Sequence, residues 1–203
     1  MHHIYQTEGI ILGSANFGEA NKHLFILTKD FGLIKVAAQG LRRQKSKLRC
    51  SLQDFSLSEL SLVRGRNIWR ITNAAHKQNF YNSLSADTEK LTVALQMLIL
   101  LKKLLPGESP NQTLYKIIKQ ALLFLEREQI CSADIGAFEN IILIRILRNL
   151  GYFDEQKEIN NRAVYKNFLK SFECDRALLD EMNKIKPDAI RDINNALAAT
   201  HLW

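Results

Sequence analysis

The sequence predicts an α+β protein, with a small five-stranded β-barrel first and an all-α helical part after it. Three observations carry that expectation. The hydrophobic period is two residues up to about residue 80 and helical beyond it. Five short strand-like runs fit into the first part, and a long basic connection follows the third of them. We therefore expect a barrel domain over residues 1–80 and a helical bundle over 81–203.

The first strand is expected at residues 4–13, ending at the loop Ser14-Ala-Asn-Phe-Gly-Glu. A second, rich in Phe, Ile and Leu, covers 23–28 and closes on the turn residues Lys29-Asp30-Phe31-Gly32. The third, 33–38, sets Ile34, Val36 and Ala38 on one face and Leu33, Lys35 and Ala37 on the other. A fourth spans 54–63. Its apolar phase shifts between Leu57 and Leu60, the mark of a β-bulge. The turn Arg64-Gly65-Arg66-Asn67 leads into a fifth at 68–74. Short strands in this number, with one long connection, fit a closed barrel of the oligonucleotide-binding kind, the OB-fold.

Ser85 is placed to cap a helix running to about residue 105, with Asp87 and Glu89 in its first turn. Pro106-Gly107 stops it. Ser109-Pro110-Asn111-Gln112 reads as a capping box that starts a helix to about residue 128. Ser132 and Asp134 start a third, ended by Gly151. That helix is apolar nearly all round, which makes it the centre of a bundle. A polar loop is expected at 152–161, then shorter helices at 163–172, 175–186 and 188–199, the last two separated at Pro187.

Charge is distributed unevenly. The chain has 203 residues and net charge +7. Twelve cations stand against five acids up to residue 80, and sixteen of each sign follow. All of the excess belongs to the first part, which points to a polyanionic partner. It peaks between Asp30 and Asp54, where Lys35, Arg42, Arg43, Lys45, Lys47 and Arg49 meet no acid. Cys50, Cys131 and Cys174 have no paired spacing, which fits a reducing compartment. No apolar run has the length of a signal peptide core or a membrane span, so a cytoplasmic protein without membrane contact is expected.

Catalysis needs a constellation of groups, and the sequence offers none. It has no phosphate-binding glycine loop, no histidine pair at metal-ligand spacing and no nucleophile elbow. His23, His76 and His201 stand alone, and Glu126 and Glu128 point to different faces of their helix. We expect no enzyme activity and no cofactor. Binding is better supported. Trp69 lies between Arg66 and Arg70, close to Arg64, as aromatic rings beside cations do where unstacked bases bind. A tryptophan of the barrel core is the alternative. Phe17, in a glycine-flanked loop with Glu19 and Lys22, has the same two readings. Phosphate contacts dominate such affinity, so binding is expected to be largely independent of sequence.

The first part holds, in order, Tyr5-Gln-Thr-Glu-Gly-Ile-Ile-Leu, Gly18-Glu-Ala-Asn-Lys22, Thr28-Lys-Asp-Phe-Gly32, Ala38-Gln-Gly-Leu-Arg-Arg43, Ser46-Lys-Leu and Leu52-Gln-Asp-Phe-Ser. Downstream stand Phe138-Glu139 and Arg145-Ile-Leu-Arg-Asn-Leu-Gly-Tyr152. In order and spacing these pieces resemble the RecO family of bacterial recombination mediators. The resemblance implies an OB-fold barrel that binds single- and double-stranded DNA and anneals complementary strands. It implies joint action with RecR to load RecA onto DNA coated by single-stranded DNA-binding protein, whose acidic, Phe-ending tail docks on the helical domain.

Carried over by position, Lys22, Lys35, Arg42, Arg43, Lys45, Lys47 and Arg49 are expected DNA contacts. Arg64, Arg66, Trp69 and Arg70 join them from the residue reading. Lys116, Lys119, Arg127, Arg145 and Arg148 are candidates for meeting the acidic tail. Many members carry four cysteines as a zinc ribbon soon after the Gly-Tyr pair. Residues 153–170 here contain none, so no structural zinc is expected. Two other functions share the composition: an OB-fold protein that binds RNA, and an adaptor whose basic loop meets an acidic protein. Competition between equal lengths of DNA and RNA separates the first, and a pull-down with and without nuclease the second.

Overall fold

The computed structural model describes residues 3–154 and 162–200. Its residues divide into two compact units, one of Met1–Ala86 with Leu105–Tyr115 and one of Asp87–Leu104 with Lys116–Trp203.

The first unit is built on five strands: β1 (Ile4–Phe17), β2 (Asn21–Thr28), β3 (Gly32–Ala38), β4 (Ser56–Arg64) and β5 (Trp69–Asn79). They close in the order β1-β2-β3-β5-β4, every pairing antiparallel except β3 with β5. This is the OB-fold barrel. Alternation decides what lies inside: Leu24 and Ile26 of β2, Ile34 and Val36 of β3, and Leu60 and Leu62 of β4 form one buried cluster. Strand β1 serves two neighbours, pairing through Gly9 with both Thr28 and Ser58. A Cβ at Gly9 would stand 2.7 Å from Ile26 and 2.9 Å from Leu60, so only glycine fits that crossing.

The expected bulge is present where β4 meets β5, but the extra residues, Thr72 and Lys77, are on β5. The register of β4 against β1 runs unbroken. The basic connection between β3 and β4 forms turns and no regular helix. It is held by Leu41, Leu48 and Leu52, which pack on the barrel cluster. Phe55 ends it with a φ of 69°, its N–H donating to Ile11 O and its carbonyl accepting from Phe80 N–H. A short helix, α1 (Phe80–Leu84), follows β5.

The segment 105–115 packs against the barrel through side chains. Trp69 Nε1 donates to Glu108 at 2.9 Å, Gln112 to Asp30 at 3.4 Å, and the Tyr115 hydroxyl to Glu8 at 2.8 Å. Burial, then the Glu8 carboxylate, pushes the Tyr115 phenol far up, so it remains a donor.

The helices are α2 (Thr88–Leu104), α3 (Gln112–Arg127), α4 (Ser132–Asn149), α5 (Arg162–Lys170) and α6 (Arg176–Ala198). The two-unit division falls inside α3. The central helix of the second unit is α4, as its all-round apolarity predicts, with residues from Ile135 to Leu147 buried on every face. It packs along α6 and against α2 and α5. Asp134, 3% exposed, ties its start to α6 by accepting from Asn183 at 2.8 Å and pairing with Arg176 at 2.8 Å. Gly151, with φ of 83°, ends α4 as expected.

Three local expectations are corrected. Asp87, and not Ser85, caps α2, by accepting from the Lys90 N–H. Asn111 caps α3 by accepting from Leu114 N–H, which places Pro110 outside the helix. The chain also does not break at Pro187, which lies inside the 23-residue α6. Leu179, Met182, Ala189, Ile193 and Ala196 present one continuous buried stripe on both sides of the proline. Packing against α4 outweighs the roughly 3 kcal/mol an interior proline costs. Of the polar loop expected at 152–161, residues 155–161 lie outside the described residues, as does His201.

Candidate nucleic-acid interface

The cations expected to meet DNA occupy three places on the first unit. The turns between β3 and β4 expose Arg42, Arg43, Lys45, Lys47 and Arg49, none paired with a carboxylate among the described residues. The backbone N–H of Arg42 donates to Ala20 O at 2.9 Å, and that of Gly40 to the Asn21 side chain at 2.8 Å. The basic segment is thereby anchored to the loop between β1 and β2. Lys22, Arg42 and Arg49 converge with Gln53 and Asp54 around a cleft of about 500 Å3 floored by Leu41 and Leu52.

The second place is the outer face of β2, β3 and β5. There His23 pairs across from Ala37, Phe25 from Lys35, and Ala37 in turn from Arg70. Lys35 and Arg70 are exposed. Phe17, 56% exposed at the end of β1, stacks on His23 with ring centroids 4.5 Å apart and planes 20° apart. The Lys35 ammonium sits 6.0 Å from the Phe25 ring centroid. Partial burial, then Lys35, lowers the His23 pKa, so at neutral pH it is an uncharged ring. Phe17, His23 and Phe25 thus form an aromatic platform bordered by cations. In the sequence His23 stands alone and Phe25 belongs to an apolar run. The alternation that buries Leu24 and Ile26 is the signal that turns both outward.

The third place is the turn after β4. Arg66 is exposed there, while Arg64 pairs with Glu108 at 3.3 Å and lies 5.3 Å over the Trp69 ring.

Two candidates are corrected. Trp69 is 2% exposed: it neighbours Val36 across the parallel pair, shares its inward direction, and packs edge-on to Tyr5 at 5.2 Å. It is a core residue. Trp69→Phe is expected to lower stability by about 1–3 kcal/mol in chemical denaturation, while changing oligonucleotide affinity less than about twofold. Arg145 is the second, 2% exposed, with its guanidinium donating to the carbonyls of Phe168, Phe172 and Glu173 at 2.7, 3.0 and 2.8 Å. No partner can reach it.

Lys116, Arg127 and Arg148 are exposed on the second unit and Lys119 is half-buried. That unit carries an apolar groove of about 270 Å3, lined by Met97, Ile99, Leu100, Phe138 and Ile142 together with Lys103 and Glu139. None of the candidate cations lines it. Among the described residues no group of His, Cys, Asp or Glu could hold a metal ion, and no helix is long and apolar enough to cross a membrane.

Fold and site together define a basic OB-fold barrel followed by a helical unit. Residues 1–80 match the family model described as Recombination protein O N terminal, and residues 85–155 the one described as Recombination protein O C terminal. The chain belongs to the RecO family. It is similar to a protein of Alkaliphilus metalliredigens named DNA repair protein RecO, 32% identical over 67% of this chain and 55% of that one. A protein of Clostridium perfringens with the same name is 29% identical over 95% of this chain and 80% of the relative. One from Dehalococcoides mccartyi is 29% identical over 92% and 67%. Against the first of these, the chain spans about half the relative's length.

Proposed function

We propose that this protein is a mediator of recombinational DNA repair that acts by binding and not by catalytic turnover. Its first unit holds single- and double-stranded DNA through Lys22, Lys35, Arg42, Arg43, Lys45, Lys47, Arg49, Arg66 and Arg70. Complementary strands anneal there because cations lower the repulsion between them. With RecR it assists the loading of RecA onto DNA coated by single-stranded DNA-binding protein, whose acidic tail meets the second unit. Lys116, Lys119, Arg127 and Arg148 remain candidates for that contact. The reading places the protein in the cytoplasm, away from membranes.

The observation that supports it best is the basic segment 42–49, whose cations are exposed and form no ion pair with a carboxylate among the described residues. The direct test is annealing of complementary oligonucleotides precoated with single-stranded DNA-binding protein. Faster pairing in the presence of this protein is expected; an unchanged rate contradicts the mediator role.

The aromatic platform adds a strand preference, since a ring can stack on an unpaired base and not on one inside a duplex. Phe25→Ala and Phe17→Ala should each weaken single-strand binding by about 1–3 kcal/mol, roughly 5- to 150-fold. Duplex affinity should change much less. Anisotropy titrations with single- and double-stranded probes separate the two, and equal losses on both refute the platform.

A further inference from the structure

The cleft at the barrel mouth differs from the rest of the cationic surface in shape and in charge. Arg43, Lys45 and Lys47 are exposed and do not line it, whereas Lys22, Arg42 and Arg49 converge on it from three places in the sequence. Two of its three cations are tied to neighbouring groups. The Lys22 ammonium donates to the Ser14 hydroxyl at 3.1 Å, and that hydroxyl donates to Asp54 at 3.1 Å. The Arg42 guanidinium donates to Gly18 O at 3.4 Å, its backbone already held by Ala20. Beneath them, Leu41 and Leu52 are 4% and 3% exposed and locked into the barrel cluster.

Three cations and the Asp54 carboxylate leave the lining with a formal charge of +2. An internal phosphodiester carries one negative charge and must continue into sugars on both sides. A terminal phosphomonoester carries close to two at neutral pH and offers three free oxygens. It also needs an opening on one side only. Asp54 weakens the pull on any anion, but the lining stays net positive, and at one position it attracts a dianion about twice as strongly as a single charge. We propose that this cleft seats the terminal phosphomonoester of a DNA strand, so that the protein distinguishes phosphorylated ends from hydroxyl ends. This rests on the DNA-binding reading above and assigns one position within that site.

The test uses the full chain and single-stranded 12-mers of one sequence, labelled at the opposite end. They carry a hydroxyl, a phosphate, or a phosphate capped as its methyl diester, at the 5′ end in one set and the 3′ end in another. Anisotropy at fixed salt is expected to show one phosphorylated end binding on the order of five- to tenfold tighter than its hydroxyl counterpart. The methyl-capped probe should fall near the hydroxyl one. Lys22→Ala and Arg49→Ala should bring the ratio close to one, while Lys45→Ala should weaken all probes alike and leave the ratio intact. A wild-type ratio of one at both ends, with tight salt-dependent binding of every probe, overturns the cleft assignment alone. A preference that survives in both cleft variants also overturns it. Failure of every probe to bind removes the DNA-binding reading itself.

Discussion

Replacing Arg42, Arg43, Lys45 and Lys47 together by alanine should lower affinity for single-stranded DNA by about two to three orders of magnitude near 0.1 M salt. Each cation that neutralises a phosphate releases about 0.7 of a counterion from a single strand. Four lost contacts therefore remove about 2.8 from the salt slope, and at that ionic strength a similar number of decades of affinity. All four side chains are exposed and none pairs with a carboxylate among the described residues, so stability should hold. The loss should be the same for every base sequence, because phosphate contacts carry no base information. Fluorescence titrations with two or three unrelated sequences, alongside thermal denaturation, measure both. An affinity within a few-fold of wild type moves the site elsewhere on the molecule.

The second large effect is structural. Arg145→Met should destabilise the second unit by about 3–5 kcal/mol, since it removes a buried guanidinium and leaves the carbonyls of Phe168, Phe172 and Glu173 without their donor. Arg145→Lys should recover only part of this, because one ammonium cannot reproduce a planar fork of donors. Chemical denaturation followed by circular dichroism checks it. The folded fraction of either variant should bind oligonucleotides as wild type does, since the DNA site belongs to the other unit. A stability loss under about 1 kcal/mol would mean that these carbonyls find other donors.

Much of this architecture was legible because the two periods are distinct. The alternation Leu24, Ile26 and Ile34, Val36 gives the barrel interior, and the all-round apolarity of residues 135–147 gives the central helix. What escaped depends on contacts distant in sequence. The packing of residues 105–115 on the barrel needs Trp69 with Glu108, Asp30 with Gln112 and Glu8 with Tyr115, none of which a local pattern announces. Pro187 marks a break by local rules, yet the buried stripe from Leu179 to Ala196 carries the helix across it.

The candidate site divides in the same way. The excess charge before residue 81 picks out the basic segment directly. The direction of Trp69 was ambiguous until its register with Val36 was known. Arg145 was readable in principle: a cation on a helix apolar all round has nowhere to go but inward, where it must find acceptors. Phe25 and His23 were hidden by their apolar and aromatic neighbours, although their odd positions beside Leu24 and Ile26 turn both rings outward.

The central claim is that a concentrated cationic surface on the barrel holds nucleic acid through its phosphates. Titration of a labelled single strand at several salt concentrations tests it most directly. With about five phosphate contacts, log K should fall linearly against log salt with a slope near −3.5. An affinity that does not respond to salt contradicts the account.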